Sequence, residues 1–278
     1  MYDTIEHVGE GSIIQHGKLN DRVYLMKLNF NDIDLIHEKL NELVDKHDYS
    51  KLFCKVPKCY APVFFAHGFV MEAFIPGFYN HKEEAFFVCK YIHKSRRENI
   101  EEKSFKCLQK LLENKPQALD LDSHKYSIKR LEEDDAIEMA EIYKKVFASY
   151  PFPIHSPEFI KETMQDNLQY YGIQIDGKLV ALASSEIDFE YENAEMTDFA
   201  TLPEYAGHNF SSILLKEMEQ EMRTQGIKTL YTIARLNSVS MTKTFLRNDY
   251  KYTGTLINNT QISGKIESMN VLYKRLEY

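Results

Sequence analysis

Two carboxylates three residues apart, Glu195 and Asp198, precede Pro203 and a short turn, Gly207 to Ser211, that opens an amphipathic helix. Each part has a chemical use. A carboxylate can take up a proton when its surroundings hold its pKa high enough. The first amide groups of a helix lack partners within it, and with the positive end of the helix dipole they attract phosphate. Other chemistries find less support. Ser184 and Ser185 have no nucleophile-elbow context, which argues against a hydrolase. Cys54, Cys59 and Cys89 with His93 offer zinc-type donors, but their spacings match no standard zinc site, so no metal is expected and the four cysteines read as reduced thiols.

The elements that must position these residues follow from periodicity. The first part of the chain alternates element types. A strand at 22–28 is followed by a helix capped by Asn31 or Asp32, with Ile33, Ile36, Leu40, Leu43 and Val44 on one face. Strands are expected at 51–56 and at 62–74, broken at Gly68 and ended by Pro76-Gly77, then a helix at 98–113. The polar stretch 114–125 reads as a boundary.

In the second part, a helix at 134–147 is followed by Ser149-Tyr-Pro-Phe-Pro-Ile154, extended by its prolines, and by a helix near 158–165. A meander of three strands comes next, at 170–175, 178–187 and 194–201, its first turn made by Asp176-Gly177. The helix after the turn carries Phe210, Ile213, Leu214, Met218 and Met222 on one face. A strand at 229–234, a helix at 240–247 and two strands at 252–257 and 266–274 close the chain. The expected fold class is α/β with a mixed sheet (α+β), in two domains: a smaller α/β domain over 1–120 and a larger one over 126–278.

Bulk properties narrow the partners. A net charge of −8 argues against a nucleic-acid binder, and the cluster His93-Lys94-Ser95-Arg96-Arg97 reads as a solvated face. No apolar run reaches the roughly 18 residues of a membrane span. The start, MYDTIEHVGEGS, lacks the basic and apolar regions of a signal peptide, so a cytoplasmic location is expected.

The order helix, helix, three-strand meander, turn, helix, strand, helix, two strands resembles the GNAT acetyltransferases, and residues 195–215 resemble their strand–loop–helix signature. Longer segments are similar to the β-lysine Nε-acetyltransferases, a GNAT subfamily that makes an osmolyte: GSIIQHGKLNDRVYLMKL (11–28), EAFIPGFY (72–79), SYPFPI (149–154), AEMTDFATLPEY (194–205), YTIAR (231–235) and NNTQISGKIESMNVLYKRL (258–276). The resemblance implies a C-terminal GNAT acyltransferase fold and acetyl-CoA as cosubstrate. Its pyrophosphate would lie on Gly207, His208, Asn209, Phe210 and Ser211, and its pantetheine along Phe199, Ala200 and Thr201. It implies acetyl transfer to the ε-amine of β-lysine or a similar small diamino acid.

Such an amine has a pKa of about 10.4 and must lose a proton to attack. Asp198 lies nearer the acyl position, while Glu195 stands where many GNAT enzymes place an acid. The balance tips to Asp198, although a regular strand turns only one of the two toward the site unless a bulge intervenes. Arg235 suits the acceptor carboxylate, Glu267 and Asn270 an ammonium, and Tyr150 and Phe152 the pocket wall; Asn258, Asn259 and Thr260 read as hairpin-turn residues. The chain departs from the family pattern at Ala206, where arginine or glutamine is usual, at Asn209, which replaces a glycine, and at Phe245, where a tyrosine is frequent. These departures leave room for a degenerate domain that only binds CoA or serves regulation or interaction, and for an acetyltransferase with another amine acceptor. The oligomeric state is open, a homodimer included.

Overall fold

The structure is a computed structural model describing residues 2–98, 100–117 and 126–276; most of the stretch 114–125, read as a boundary, lies outside the described residues. Two sheets organise the chain. The first contains β1 (Thr4–Val8), β2 (Ser12–Gly17), β3 (Arg22–Lys27), β4 (Lys51–Pro57), β5 (Val70–Tyr79) and β6 (Glu83–Tyr91), in the order β1-β2-β3-β4-β6-β5. β3 and β4 run parallel and are joined through α1 (Ile33–His47). Ile36, Leu40 and Leu43 of α1, with Phe64 of α2 (Ala61–Ala66), bury Val23, Leu25, Leu52 and Val56 on one face of the sheet.

Two expectations fail here. The strand read from residue 62 begins as α2, whose Pro62 sits in the first turn, where a missing N–H costs nothing. β5 also runs through Pro76 and Gly77 to Tyr79. It is an edge strand with a register shift between Ile75 and Tyr79, a place where proline is tolerated. β1, β2 and β6 were not anticipated at all.

The second sheet holds β7 (Ser127–Leu131), β8 (Leu168–Ile175), β9 (Lys178–Asp188), β10 (Asn193–Thr201), β11 (Thr229–Arg235), β12 (Lys251–Ile262) and β13 (Lys265–Arg275), in the order β12-β13-β11-β10-β9-β8-β7. β10 and β11 are parallel and the remaining neighbours antiparallel. α6 (Phe210–Thr224) and α7 (Val239–Arg247) cover one face, where Ile213, Leu214 and Met218 meet Ala194, Met196 and Leu230. α3 (Glu102–Glu113) joins that side, with Leu111 packed on the same core. Half of the opposite face is covered by α4 (Ala136–Val146) and α5 (Pro157–Asp166), through Met139, Tyr143 and Ile160.

The first sheet covers the other half. Phe53, Ile75, Phe78 and Phe87 pack on Tyr231, Leu256, Met269 and Val271. The approach is close: a Cβ on Gly254 of β12 would stand 2.0 Å from the Glu72 carbonyl oxygen of β5. A cationic clamp fixes the register of the two sheets. β12 jumps register against β13 between Leu256 and Thr260, so residues 257–259 form a bulge within the strand, and the hairpin turn lies at Ser263-Gly264. Asn258 and Asn259 are thus bulge residues, not turn residues as expected. Carbonyls freed by the bulge accept from buried cations of the first domain. Lys51 Nζ donates to Ile257 O (2.7 Å), Arg96 Nε to Asn258 O (2.7 Å) and Arg22 Nη1 to Asn259 O (2.5 Å). Glu72 neutralises Lys51 at 2.8 Å and accepts the Ile257 amide at 3.1 Å.

Candidate active site

β10 and β11 pair only from Asn193–Thr229 to Glu195–Tyr231, although both strands continue beyond. They therefore splay into a fork, and Glu195 sits at its apex. Along its other edge β10 is irregular: Thr197 pairs with Ser184 and Ala200 with Leu182, which places two residues of β10 opposite one of β9. Asp198 occupies this bulge with φ of 55°, and its carboxylate reaches Ser184 Oγ at 2.7 Å. Glu195 stands opposite Glu186, two residues from Ser184 and so on the same face of β9. The bulge thus brings both candidate carboxylates to one face, the face shared by α4, α5 and the first domain.

Their surroundings differ. Asp198 is buried and accepts from Tyr150 Oη and Ser184 Oγ, one on each oxygen. Burial raises its pKa, and these hydrogen bonds oppose the rise. Glu195 has no such cradle. Burial above all, and then Glu186, push it up to about 8; Lys55 pulls the other way, as does the Tyr231 hydroxyl. Lys55 comes from β4, where Lys51, Phe53 and Lys55 alternate toward the second sheet, and burial lowers its pKa against the pull of Glu186 and Glu195. Tyr24 of β3 faces the same carboxylates. Beside them a cavity of about 230 Å³ between the sheets is lined by Lys55, Phe78, Glu186, Asp188, Asn193 and Tyr231.

On the far side of the fork lies the turn before α6. Gly207 (φ 90°) and Asn209 (φ 59°) both take left-handed angles, so the asparagine does backbone work that glycine does elsewhere. Among the described residues, no backbone hydrogen bond engages the amide nitrogens of Gly207, Asn209, Phe210 or Ser211. Amides at the head of a 15-residue helix suit a pyrophosphate. His208 stacks on Phe210. Phe199 turns to the helix side, edge-on to Phe245 at 5.6 Å. Ala200 packs in the α4–α5 core, and Thr201 pairs with Ala181.

The residues expected to hold the acceptor are redistributed. Arg235 and Glu267 meet each other: Nε and Nη2 donate to the two carboxylate oxygens at 2.8 and 2.7 Å, so the two side chains are paired with one another rather than set at opposite ends of a ligand. Asn270 lies on the α7 side of β13, where Oδ1 accepts from Thr255 Oγ1 (2.8 Å) and Nδ2 donates to Thr242 Oγ1 (3.3 Å). That is the face opposite to Met269 and Val271, and it separates Asn270 from Glu195. Phe152 packs in the α4–α5 core, whereas Tyr150 does reach the bulge. Glu186, Tyr231, Lys55 and Tyr24 escaped the sequence reading. Alternation of lysine with phenylalanine along 51–55 was the available signal, since cations on the second face of a buried strand imply a partner surface.

Comparison with known proteins agrees with this geometry. Residues 136–247 match the acetyltransferase (GNAT) family model. The chain is 37% identical to the β-lysine N(6)-acetyltransferase of Methanococcus maripaludis over 271 residues, 96% of this chain and 97% of that protein. It is 28% identical to the N-acetyltransferase YodP of Bacillus subtilis over 99% of this chain and 100% of that one. A β-lysine N(6)-acetyltransferase of Methanosarcina mazei is 34% identical over 54% of this chain and 56% of its own length. GNAT acetyltransferases use acetyl-CoA, and the splayed strands and the open helix start fit that molecule. No helix among the described residues is long and apolar enough to cross a membrane. With a relative of this identity matched over nearly its whole length, the chain belongs to the GNAT family of N-acetyltransferases.

Proposed function

We propose that this enzyme transfers the acetyl group of acetyl-CoA to the ε-amine of β-lysine, with Glu195 as the base. The observation that carries the reading is the position of Glu195: at the apex of the fork, on the face closed by the first domain, with its pKa pushed up to about 8. The near full-length similarity to a β-lysine N(6)-acetyltransferase supports the acceptor.

The turn at Gly207–Ser211 would hold the pyrophosphate with main-chain amides, and the unpaired edge of β10 from Phe199 to Thr201 would hold the pantetheine arm. A main-chain amide of β10 facing the thioester oxygen would stabilise the charge that develops there. Glu195 accepts a proton from the ε-ammonium, and the neutral nitrogen attacks the acetyl carbon. A carbon–nitrogen bond forms and the carbon–sulfur bond breaks. The sulfur leaves as a thiolate, which a thiol pKa of about 8.5 makes a competent leaving group without an acid at Phe245, and the second proton of the attacking nitrogen then neutralises it to give the amide and free CoA thiol. Asp198, held by Tyr150 and Ser184, fixes the bulge and so the line of β10. The first domain (1–120) supplies the roof of the acceptor site to the second (126–278).

Release of CoA thiol, followed with β-lysine, lysine, ornithine and polyamines as acceptors, tests the assignment. β-Lysine is expected to give the highest kcat/KM. Equal rates across the panel would remove β-lysine as the acceptor and leave the acetyltransferase reading standing.

A further inference from the structure

Three buried cations of the first domain grip the bulge of β12, but their counter-ions differ. Lys51 is paired with Glu72 at 2.8 Å, and Arg96 stands 3.6 Å from Asp21. Arg22, only 5% exposed, has no carboxylate within ion-pair distance among the described residues. A buried charge without a counter-ion is costly, and burial pulls Arg22 down to about 10. Its hydrogen bonds all leave from one nitrogen: Nη1 donates to Asn259 O (2.5 Å) and Thr260 Oγ1 (3.2 Å). Nε is buried with no partner.

Nε and Nη2 form the edge of the guanidinium suited to a side-on, two-bond grip on a carboxylate. Arg235 displays that grip in this molecule, holding Glu267 with Nε and Nη2. The other edge of Arg22 is fixed by the β12 bulge, and its plane lies over the rings of Tyr24 and Phe53, at 5.1 and 5.3 Å. The group is therefore held rigidly with its two-donor edge uncommitted. Next to it, Asn259 Oδ1 is also buried without a partner. One orphaned donor, Nε, with Nη2 beside it, and one orphaned acceptor match the zwitterionic end of an amino acid, a carboxylate beside an ammonium.

The placement suits the acceptor. Arg22 and Tyr24 are alternate residues of β3, on one face and roughly 7 Å apart, and Tyr24 is the ring that faces Glu195 and Glu186. Guanidinium and base thus flank the same aromatic ring. We propose that Arg22, with Asn259 beside it, binds the carboxylate and neighbouring ammonium of the diamino-acid acceptor, so that the first domain selects amino acids over simple diamines. This rests on the acceptor reading above and assigns the group that enforces it.

The experiment compares β-lysine with the diamine that it gives on loss of its carboxylate, using the full-length wild type and Arg22→Lys and Arg22→Met. Wild type is expected to prefer β-lysine. In Arg22→Met, kcat/KM for β-lysine falls roughly 10- to 100-fold, the worth of hydrogen bonds to a charged group. The loss appears mainly in KM, and the preference over the diamine collapses; Arg22→Lys recovers part of it. A variant that loses activity equally on both acceptors, keeping the wild-type preference, overturns the proposal and makes Arg22 only a support of the bulge. A wild type that acetylates neither compound sinks the acceptor reading itself, before any variant is made. Should the variants not fold, β-alanine, which carries the same zwitterionic end without the ε-amine, decides on wild type alone. Competitive inhibition against β-lysine is expected, and none at all would overturn the assignment.

Discussion

On one side of the fork, Gly207 and Asn209 shape the turn before α6 through main-chain angles of 90° and 59°, and what they present is a set of amides. On the other side, Glu195, Glu186, Lys55 and Tyr24 meet across two sheets, and the charges of these side chains depend on one another. The cosubstrate side is thus local in sequence and built of backbone, and it suits a molecule common to a whole family. The proposed acceptor side draws on both domains and is built of side chains, which suits selection among amines. Substitutions on the two sides should therefore fail differently, the first in acetyl-CoA affinity and the second in chemistry, acceptor choice or domain docking.

The largest effect is expected at the apex. Glu195→Gln removes the proposed base while keeping shape and should lower kcat by about 10²- to 10⁴-fold. Acetyl-CoA binding, measured by calorimetry, should stay at the wild-type level. With the pKa at about 8, wild-type kcat/KM should rise with pH through that value as the carboxylate loses its proton, and Glu195→Gln should lose this limb. Stability runs the other way. The folded state holds this proton up to about 8, whereas the unfolded chain releases it near 4.5, so the contribution of Glu195 is present below 4.5 and is lost as pH rises toward 8. A pH–rate limb that persists in Glu195→Gln would transfer the base role to Asp198 and blur the distinction between cradle and base.

Next comes the clamp. Lys51 is fully buried, and Lys51→Met leaves Glu72 without its counter-ion. Removal of one partner of a buried pair costs about 3–5 kcal/mol, to be read from denaturant unfolding. Restoration of stability by Glu72→Leu in the same chain would show that the loss came from the stranded charge. A Lys51→Met enzyme with unchanged unfolding would mean that the sheets dock by their apolar faces alone.

These two regions were also unequally legible in the sequence. Segments with local periodicity or turn chemistry gave up their elements readily: the stripe from Phe210 to Met222 and the Asp176-Gly177 hairpin. The bulge at Asp198 could be posed only as a condition, because register against β9 decides it. The acceptor side resisted for a physical reason. Arg22, Lys55 and Glu195 lie far apart in the chain, and a strand pattern says which side chains share a face but not which sheet that face will meet. Arg235 and Glu267 were assigned to opposite ends of a ligand because their reach for one another depends on the pairing of β11 with β13. The bulge at 257–259 looked like a turn because Asn-Asn-Thr carries turn chemistry. Here that chemistry serves a break within a strand, whose exposed carbonyls are taken up by the other domain.

The smallest effect is expected at Asn209, and there the contrast with the acceptor side is cleanest. Asn209 caps α6 with φ of 59° and makes no side-chain cap hydrogen bond, so its role is to permit a left-handed angle. Glycine reaches that angle freely, whereas a β-branched residue is strained there by about 1–3 kcal/mol. Asn209→Gly should therefore preserve the KM for acetyl-CoA. Asn209→Val should raise it, with kcat at saturating acetyl-CoA and the preference among acceptors nearly unchanged. Acceptor choice should hold because no residue of the turn reaches Glu195, Lys55 or Arg22, which lie on the opposite face of β10 from α6. If Asn209→Val altered the ratio of β-lysine to lysine acetylation, the two sides of the fork would be coupled through the strand, and Asp198, at its bulge, would be the residue to carry that coupling.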